Sequence, residues 1–121
     1  MTARVLLVDD HAAFRRAARA VVTATPGFVV VGEATSGEEA VVLAERLRPD
    51  LVLMDIRMDG IGGIAATTQI TASRPATTTI LVSTLAPQDL PPAACTCGAA
   101  GYLHKDDLGP RALRQAYSSA R

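Results

Sequence analysis

The 121-residue chain has no tryptophan, two phenylalanines, two tyrosines and two cysteines. Two cysteines do not suggest a disulfide scaffold. Neither sign of charge is in excess: Lys+Arg and Asp+Glu number 12 each. A domain without a basic surplus has little long-range attraction for DNA or an anionic membrane, so binding nucleic acid alone is not expected. No apolar run approaches the roughly 20 residues a membrane span needs. Met1-Thr2-Ala3-Arg4 runs straight into a strand-like segment, without the pattern of a signal peptide. What is present is ordinary: 49% apolar and 20% charged residues, the mix of a folded soluble domain. The expectation is one compact cytoplasmic domain over residues 1–121, with no membrane partner. Composition does not reach function.

Short apolar runs alternate with helical patterns. Val5-Leu6-Leu7-Val8 is continuous, as in a strand covered on both faces. From Ala12 to Ala24, Phe14, Ala17, Ala18, Val21 and Val22 recur at helical spacing, and Pro26-Gly27 ends the helix. Phe28-Val29-Val30-Val31 predicts a second strand. Ser36-Gly37-Glu38-Glu39 predicts a capping box, opening a helix that turns Ala40, Val41, Ala44 and Leu47 inward before Pro49. Leu51-Val52-Leu53-Met54 predicts a third strand, ending at Asp55. A loop with Gly60, Gly62 and Gly63 leads into a helix from about Ile64 to Arg74. Ile80-Leu81-Val82 predicts a fourth strand, ending at Ser83 and Thr84. Asp89 to Cys97 is a weak helix with Gly98 at its C′ position. Tyr102-Leu103 predicts a fifth strand, ending at Lys105. Gly109-Pro110 opens a last helix with Leu113, Ala116, Tyr117 and Ala120 on one face. Five βα units with helical crossovers predict an open parallel α/β sandwich.

In such sheets ligands bind beyond the carboxyl ends of the strands. Those ends carry Asp9 and Asp10, Asp55, Ser83 and Lys105. One polar residue at a strand end merely meets water, but a converging set is harder to dismiss. Three carboxylates in one pocket repel one another unless a cation joins them. All-oxygen ligands with room for water suit Mg²⁺. A carboxylate nucleophile, a metal, an ammonium and a hydroxyl form the equipment of phosphoryl transfer. Lys105 is also the single lysine beside eleven arginines, a compact ammonium where a broad guanidinium would crowd.

Val8-Asp9-Asp10-His11, Leu53-Met54-Asp55-Ile56-Arg57-Met58, Val82-Ser83-Thr84 and Gly101-Tyr102-Leu103-His104-Lys105-Asp106 together resemble the receiver domain of bacterial two-component response regulators. Asp-Asp-His and Pro-Gly-Phe-Val-Val-Val-Gly-Glu-Ala at 26–34 are similar to the NarL/FixJ (LuxR-type) branch, and the resemblance covers essentially the whole chain. It implies a flavodoxin-like (βα)5 doubly wound parallel sheet with strand order 2-1-3-4-5. It implies that Asp55 accepts a phosphoryl group from a cognate histidine kinase. It implies that Asp10, Asp55 and the backbone carbonyl of Arg57 bind Mg²⁺, with Asp9 acting largely through a water. Ser83 would contact the phosphoryl oxygen and Lys105 would pair with it. Tyr102 matches the switch aromatic, and equally reads as a half-buried sheet residue. Such a domain catalyses its own phosphorylation and hydrolysis but turns over no external substrate. The parent protein would regulate transcription through a C-terminal helix-turn-helix DNA-binding domain, expected to be absent from this chain. Homodimerisation on activation is compatible with the sequence but not readable from it.

Departures from the family pattern are specific. Asp59 stands where Pro is usual and Gly62 where Asp is frequent, predicting a looser loop and an extra acid near the metal. These two keep open a phosphorylation-independent pseudo-receiver that acts as an interaction module, against which the intact Asp, Ser and Lys set argues. Leu85, two residues beyond Ser83, would hinder a hydrolytic water. Pro91-Pro92 predict a short or displaced fourth helix. A flavodoxin-type cofactor binder would need a phosphate-cradling loop after the first strand, and aromatics, which make up only 3% here. A haloacid-dehalogenase-type phosphatase would need Asp-x-Asp there, not adjacent aspartates. Cys95-x-Cys97 reads as small buried side chains rather than a redox or metal pair. His11 reads as the start of the first helix rather than a catalytic base, and His104 as surface or packing. Arg15, Arg16 and Arg19 read as a solvated basic face that would be available to a kinase.

Overall fold

The computed structural model describes residues 2–120. The chain forms β1 (Ala3–Val8), α1 (Ala12–Ala24), β2 (Phe28–Ala34), α2 (Gly37–Leu47), β3 (Leu51–Asp55), α3 (Gly62–Ser73), β4 (Thr78–Ser83), β5 (Gly101–His104) and α4 (Pro110–Ala120). The five strands make one parallel sheet in the order β2-β1-β3-β4-β5.

Period-two alternation divides the strands between two cores. Leu6, Val8, Val52, Met54 and Leu81 face α2 and α3 with Ala40, Ala44, Ala66 and Ile70. Val5, Leu7, Leu51, Leu53 and Ile80 face α1 and α4 with Ala18, Val22 and Leu113. Both faces of β1 and β3 are therefore apolar, which explains their continuous hydrophobic runs. On α1, Ala17 is exposed rather than inward: the covered stripe is narrower than the apolar pattern.

The helix ends follow their capping chemistry. Ser36 accepts the Glu39 N–H at 3.1 Å, and Glu39 reaches back one residue beyond the cap, accepting the Thr35 N–H at 2.6 Å. Gly109 and Pro110 open α4, where the Gly109 carbonyl accepts the Leu113 N–H at 2.8 Å.

The crossover from β4 to β5 departs from the expected five βα units. No α-helix covers Asp89–Cys97; two 3₁₀ turns, Pro87–Asp89 and Pro92–Cys95, take its place. The cause is the proline pair. A residue before proline avoids the α region, and both Leu90 (ψ 140°) and Pro91 (ψ 145°) are extended. Gly98 nevertheless takes the left-handed conformation foreseen for it, at φ +96°. Cys97 is buried, but Cys95 is exposed, contrary to the expectation of two small buried side chains.

Candidate functional site

The carboxyl ends of β1, β3 and β5 project three side chains toward one point. Asp9, Asp55 and Lys105 each lie two residues beyond a core residue of the α1–α4 face, namely Leu7, Leu53 and Leu103, so alternation sends them to the same side. Lys105 Nζ lies 2.6 Å from Asp9 Oδ2 and 3.5 Å from Asp55 Oδ1. The Phe14 ring of α1 lies beneath the ammonium, 4.5 Å from ring centroid to Nζ. Asp9 and Asp55 are almost fully buried, at 2% and 3% exposure, whereas Asp10 is open to solvent. Ligand atoms of Asp9, Asp10, His11 and Asp55 all lie within 4.8 Å of one another.

Burial and the neighbouring Asp9 charge push the Asp55 carboxyl up to about 6, against the pull of Lys105. The donor set fits a hard divalent cation. Three carboxylates crowd one spot, and an ammonium already stands among them as a partial counter-charge.

The loop after β3 is shaped by two glycines. Gly62 takes φ +77°. Gly63 packs so closely on the end of β3 that a Cβ there would lie 1.8 Å from the Asp55 carbonyl oxygen. Its N–H also donates to the Ile56 carbonyl at 3.0 Å. Asp59 is exposed and stands outside the four-residue cluster, so the extra acid does not join it. Arg57 is exposed in this loop, next to Ile56.

Ser83 ends β4 and is buried. Its Oγ accepts the Leu85 N–H at 3.2 Å, which leaves the hydroxyl proton free to donate elsewhere. Among the described residues it makes no hydrogen bond to Asp55 or Lys105. Tyr102 is half-buried against the α2–α3 core, and its hydroxyl donates to the Ser83 carbonyl at 3.1 Å and to the Leu85 carbonyl.

Several partners were not apparent from the sequence. His11 is the N-cap residue of α1, as expected, yet its Nδ1 also lies 2.9 Å from Asp10 Oδ1 and 3.1 Å from Asp9 Oδ1. The i to i+2 spacing from Asp9 is the signal that could have revealed this, because an Asp accepts the N–H two residues on; His11 N–H donates to Asp9 Oδ1 at 2.7 Å. Arg15 and Arg19 are not a free basic face. Both pair with Glu33 of β2, at 3.1 and 2.5 Å, and Arg15 Nη1 donates to the Asp9 carbonyl at 2.7 Å. Hydrogen bonding from Arg19 holds the Glu33 carboxyl below the usual range. Arg16 remains exposed. His104 tethers β5 to the turn after β4: Nε2 lies 2.9 Å from the Thr84 carbonyl, while Nδ1 accepts the Asp106 N–H at 3.1 Å. The surface cleft lined by Thr2, Gly27, Phe28, Asp50 and Arg114 lies at the opposite end of the sheet. Among the described residues no helix is long and apolar enough to cross a membrane.

Comparison with known proteins agrees with this geometry. Residues 5–118 match the family profile of the response regulator receiver domain. The response regulator GacA of Pseudomonas aeruginosa is 36% identical over 121 residues, covering 98% of this chain and 56% of that protein. The response regulator UvrY of Escherichia coli is 40% identical over 120 residues, covering 97% and 55%. The chain thus spans just over half the length of these relatives. A LuxR-family two-component response regulator from Aurantimonas sp. superimposes with a TM-score of 0.87 at 35% identity, over 98% of this chain and 84% of that one. The receiver domain of a response regulator NarL from Mycobacterium tuberculosis gives 0.87 at 29% identity, over 97% of each.

Proposed function

This chain belongs to the response regulator receiver domain family, and from that premise we propose that it is a phosphorylation-controlled switch whose phosphoacceptor is Asp55. The observation that carries the reading is the position of Lys105, the single lysine, with its ammonium 2.6 Å from Asp9 and 3.5 Å from Asp55. Asp10, Asp55 and the backbone carbonyl of Arg57 would hold Mg²⁺, with Asp9 acting mainly through a water. When bound, the ion supplies positive charge against the phosphoryl oxygens.

With a carboxyl titrating at about 6, Asp55 is mostly ionised at neutral pH and available as a nucleophile. Its oxygen forms the new bond to phosphorus as the bond to the phosphohistidine nitrogen of the kinase breaks. Lys105 exchanges part of its contact with Asp9 for a phosphoryl oxygen, and the Ser83 hydroxyl donates to another. Moving Ser83 disturbs the two carbonyls that hold the Tyr102 hydroxyl, so the new charge biases a two-state rearrangement of the turn after β4. Hydrolysis of the aspartyl phosphate by water returns the switch. The domain therefore processes only its own phosphoryl group. It acts in the cytoplasm; its partners are a cognate histidine kinase and, in the parent protein, a C-terminal helix-turn-helix domain through which transcription is controlled.

Acetyl phosphate with Mg²⁺ tests the reading by intact mass. The expected result is the gain of one phosphoryl group, abolished in Asp55→Ala. Labelling that persists in that variant would move the nucleophile elsewhere and refute the assignment.

A further inference from the structure

We infer that His104 is a positioning residue for the phosphoryl reaction: from β5 it tethers the turn that follows Ser83, and this tether opposes the movement that brings the Ser83 hydroxyl to the phosphoryl group. The inference rests on the reading of Asp55 as the phosphoacceptor. His104 pairs with Ser83 in the β4–β5 register. Its Nε2 lies 2.9 Å from the Thr84 carbonyl oxygen, and its Nδ1 accepts the Asp106 N–H at 3.1 Å. These two partners fix the state of the ring. A nitrogen bonded to a carbonyl oxygen must carry a proton, and a nitrogen accepting an N–H must lack one. The ring is therefore neutral, with its proton on Nε2.

The neighbouring bonds give the tether its consequence. Tyr102 stands two residues earlier on β5 and so on the same side of the strand. Its hydroxyl donates to the Ser83 and Leu85 carbonyls. The carbonyls of three successive residues, Ser83, Thr84 and Leu85, are thus held by two side chains of β5. The turn leads into 3₁₀ turns and extended backbone instead of an α-helix, so these cross-strand bonds supply much of its support. In this arrangement Ser83 Oγ is engaged within its own turn, accepting the Leu85 N–H at 3.2 Å. Turning Ser83 toward a phosphoryl oxygen draws the adjoining Thr84 carbonyl away from Nε2, and the lost hydrogen bond slows the approach to the aspartyl phosphate. His104 has a second, purely structural part: as the N-cap of Lys105–Asp107 it accepts the Asp106 N–H. Each ring nitrogen serves one of the two parts, which lets them be separated.

Two variants of the whole chain make the test. His104→Asn puts an oxygen where Nδ1 stands and keeps the cap, but it stops short of Thr84. His104→Gln carries an amide N–H out to the reach of Nε2 and keeps the tether. Labelling by acetyl phosphate with Mg²⁺ at pH 8 is followed by intact mass, and urea unfolding establishes that each variant is folded. His104→Asn should be labelled about fivefold faster than wild type, the effect of one hydrogen bond, while His104→Gln stays within about twofold of wild type. Imidazole ¹⁵N spectra of wild type at pH 8 should show the His104 ring protonated at Nε2. A wild-type or slower rate in His104→Asn, equal acceleration in both variants, or a ring protonated at Nδ1 would overturn the tether and leave the receiver reading standing. Wild type that gains no phosphoryl group would instead overturn the phosphoacceptor reading, and the control by His104 with it.

Discussion

Replacing Asp55 by asparagine should stabilise the metal-free protein at pH 8, although the residue is the proposed nucleophile. In the fold its carboxyl titrates at about 6 rather than 3.8, because burial and Asp9 oppose its ionisation more than Lys105 favours it. A raised acid binds its proton more tightly in the native state than in the unfolded one. Below 3.8 both states are protonated and the group is neutral toward stability. As pH rises from 3.8 toward 6 the unfolded state ionises first, so stability is lost across that window and the full penalty stands above it. The difference between 3.8 and about 6, at about 1.36 kcal/mol per pH unit, sets a ceiling of about 3 kcal/mol. Asparagine gives up its attraction to Lys105, 3.5 Å away, so a net gain of about 1–2 kcal/mol is expected. Urea unfolding in EDTA at pH 8 and at pH 4 measures it. The variant should be the more stable at pH 8, with the advantage shrinking at pH 4. Saturating Mg²⁺ should narrow the gap at pH 8 by stabilising wild type preferentially. A variant equal to or less stable than wild type at pH 8 without metal would show that ionised Asp55 does not strain the fold.

Three further substitutions probe the frame around the site. Gly63→Ala would force a Cβ to within 1.8 Å of the Asp55 carbonyl oxygen, so the end of β3 must move; a loss of about 3 kcal/mol or more in urea unfolding is expected, together with slower labelling by acetyl phosphate. Thr79→Val should stabilise by about 1 kcal/mol in the same assay, because Thr79 Oγ1 is buried without a hydrogen-bond partner among the described residues; a destabilised variant would contradict this. Leu85→Ala should shorten the half-life of the phosphorylated state about two- to tenfold by opening a path for water, and an unchanged half-life would remove Leu85 from that role.

Much of this was legible in the sequence because it is local. The boundaries of α1, the Ser36 cap and the Gly109-Pro110 start of α4 depend on residues within one turn of each other. The strand-end aspartates and Lys105 were legible because a parallel sheet aligns its carboxyl ends. Pairings across elements were not. Nothing local shows that Lys105 sits closer to Asp9 than to Asp55, or that Glu33 on β2 neutralises Arg15 and Arg19 on α1. The β4–β5 crossover was half legible. The proline pair predicted a short or displaced helix, and the extended backbone at Leu90 and Pro91 eliminates it. Asp59 looked close to the site by chain position, but the turn through Gly60 and Gly62 leaves it exposed.

The most direct measurement is a crystal structure of the protein with Mg²⁺ and beryllofluoride, which mimics a phosphoryl group. Beryllium is expected to be joined to an Asp55 carboxylate oxygen, with Lys105 and Ser83 each hydrogen-bonded to a fluorine and the cation against Asp10. Beryllofluoride attached to another residue, or bound at Asp55 with Lys105 still held by Asp9 and Ser83 turned away, would contradict it.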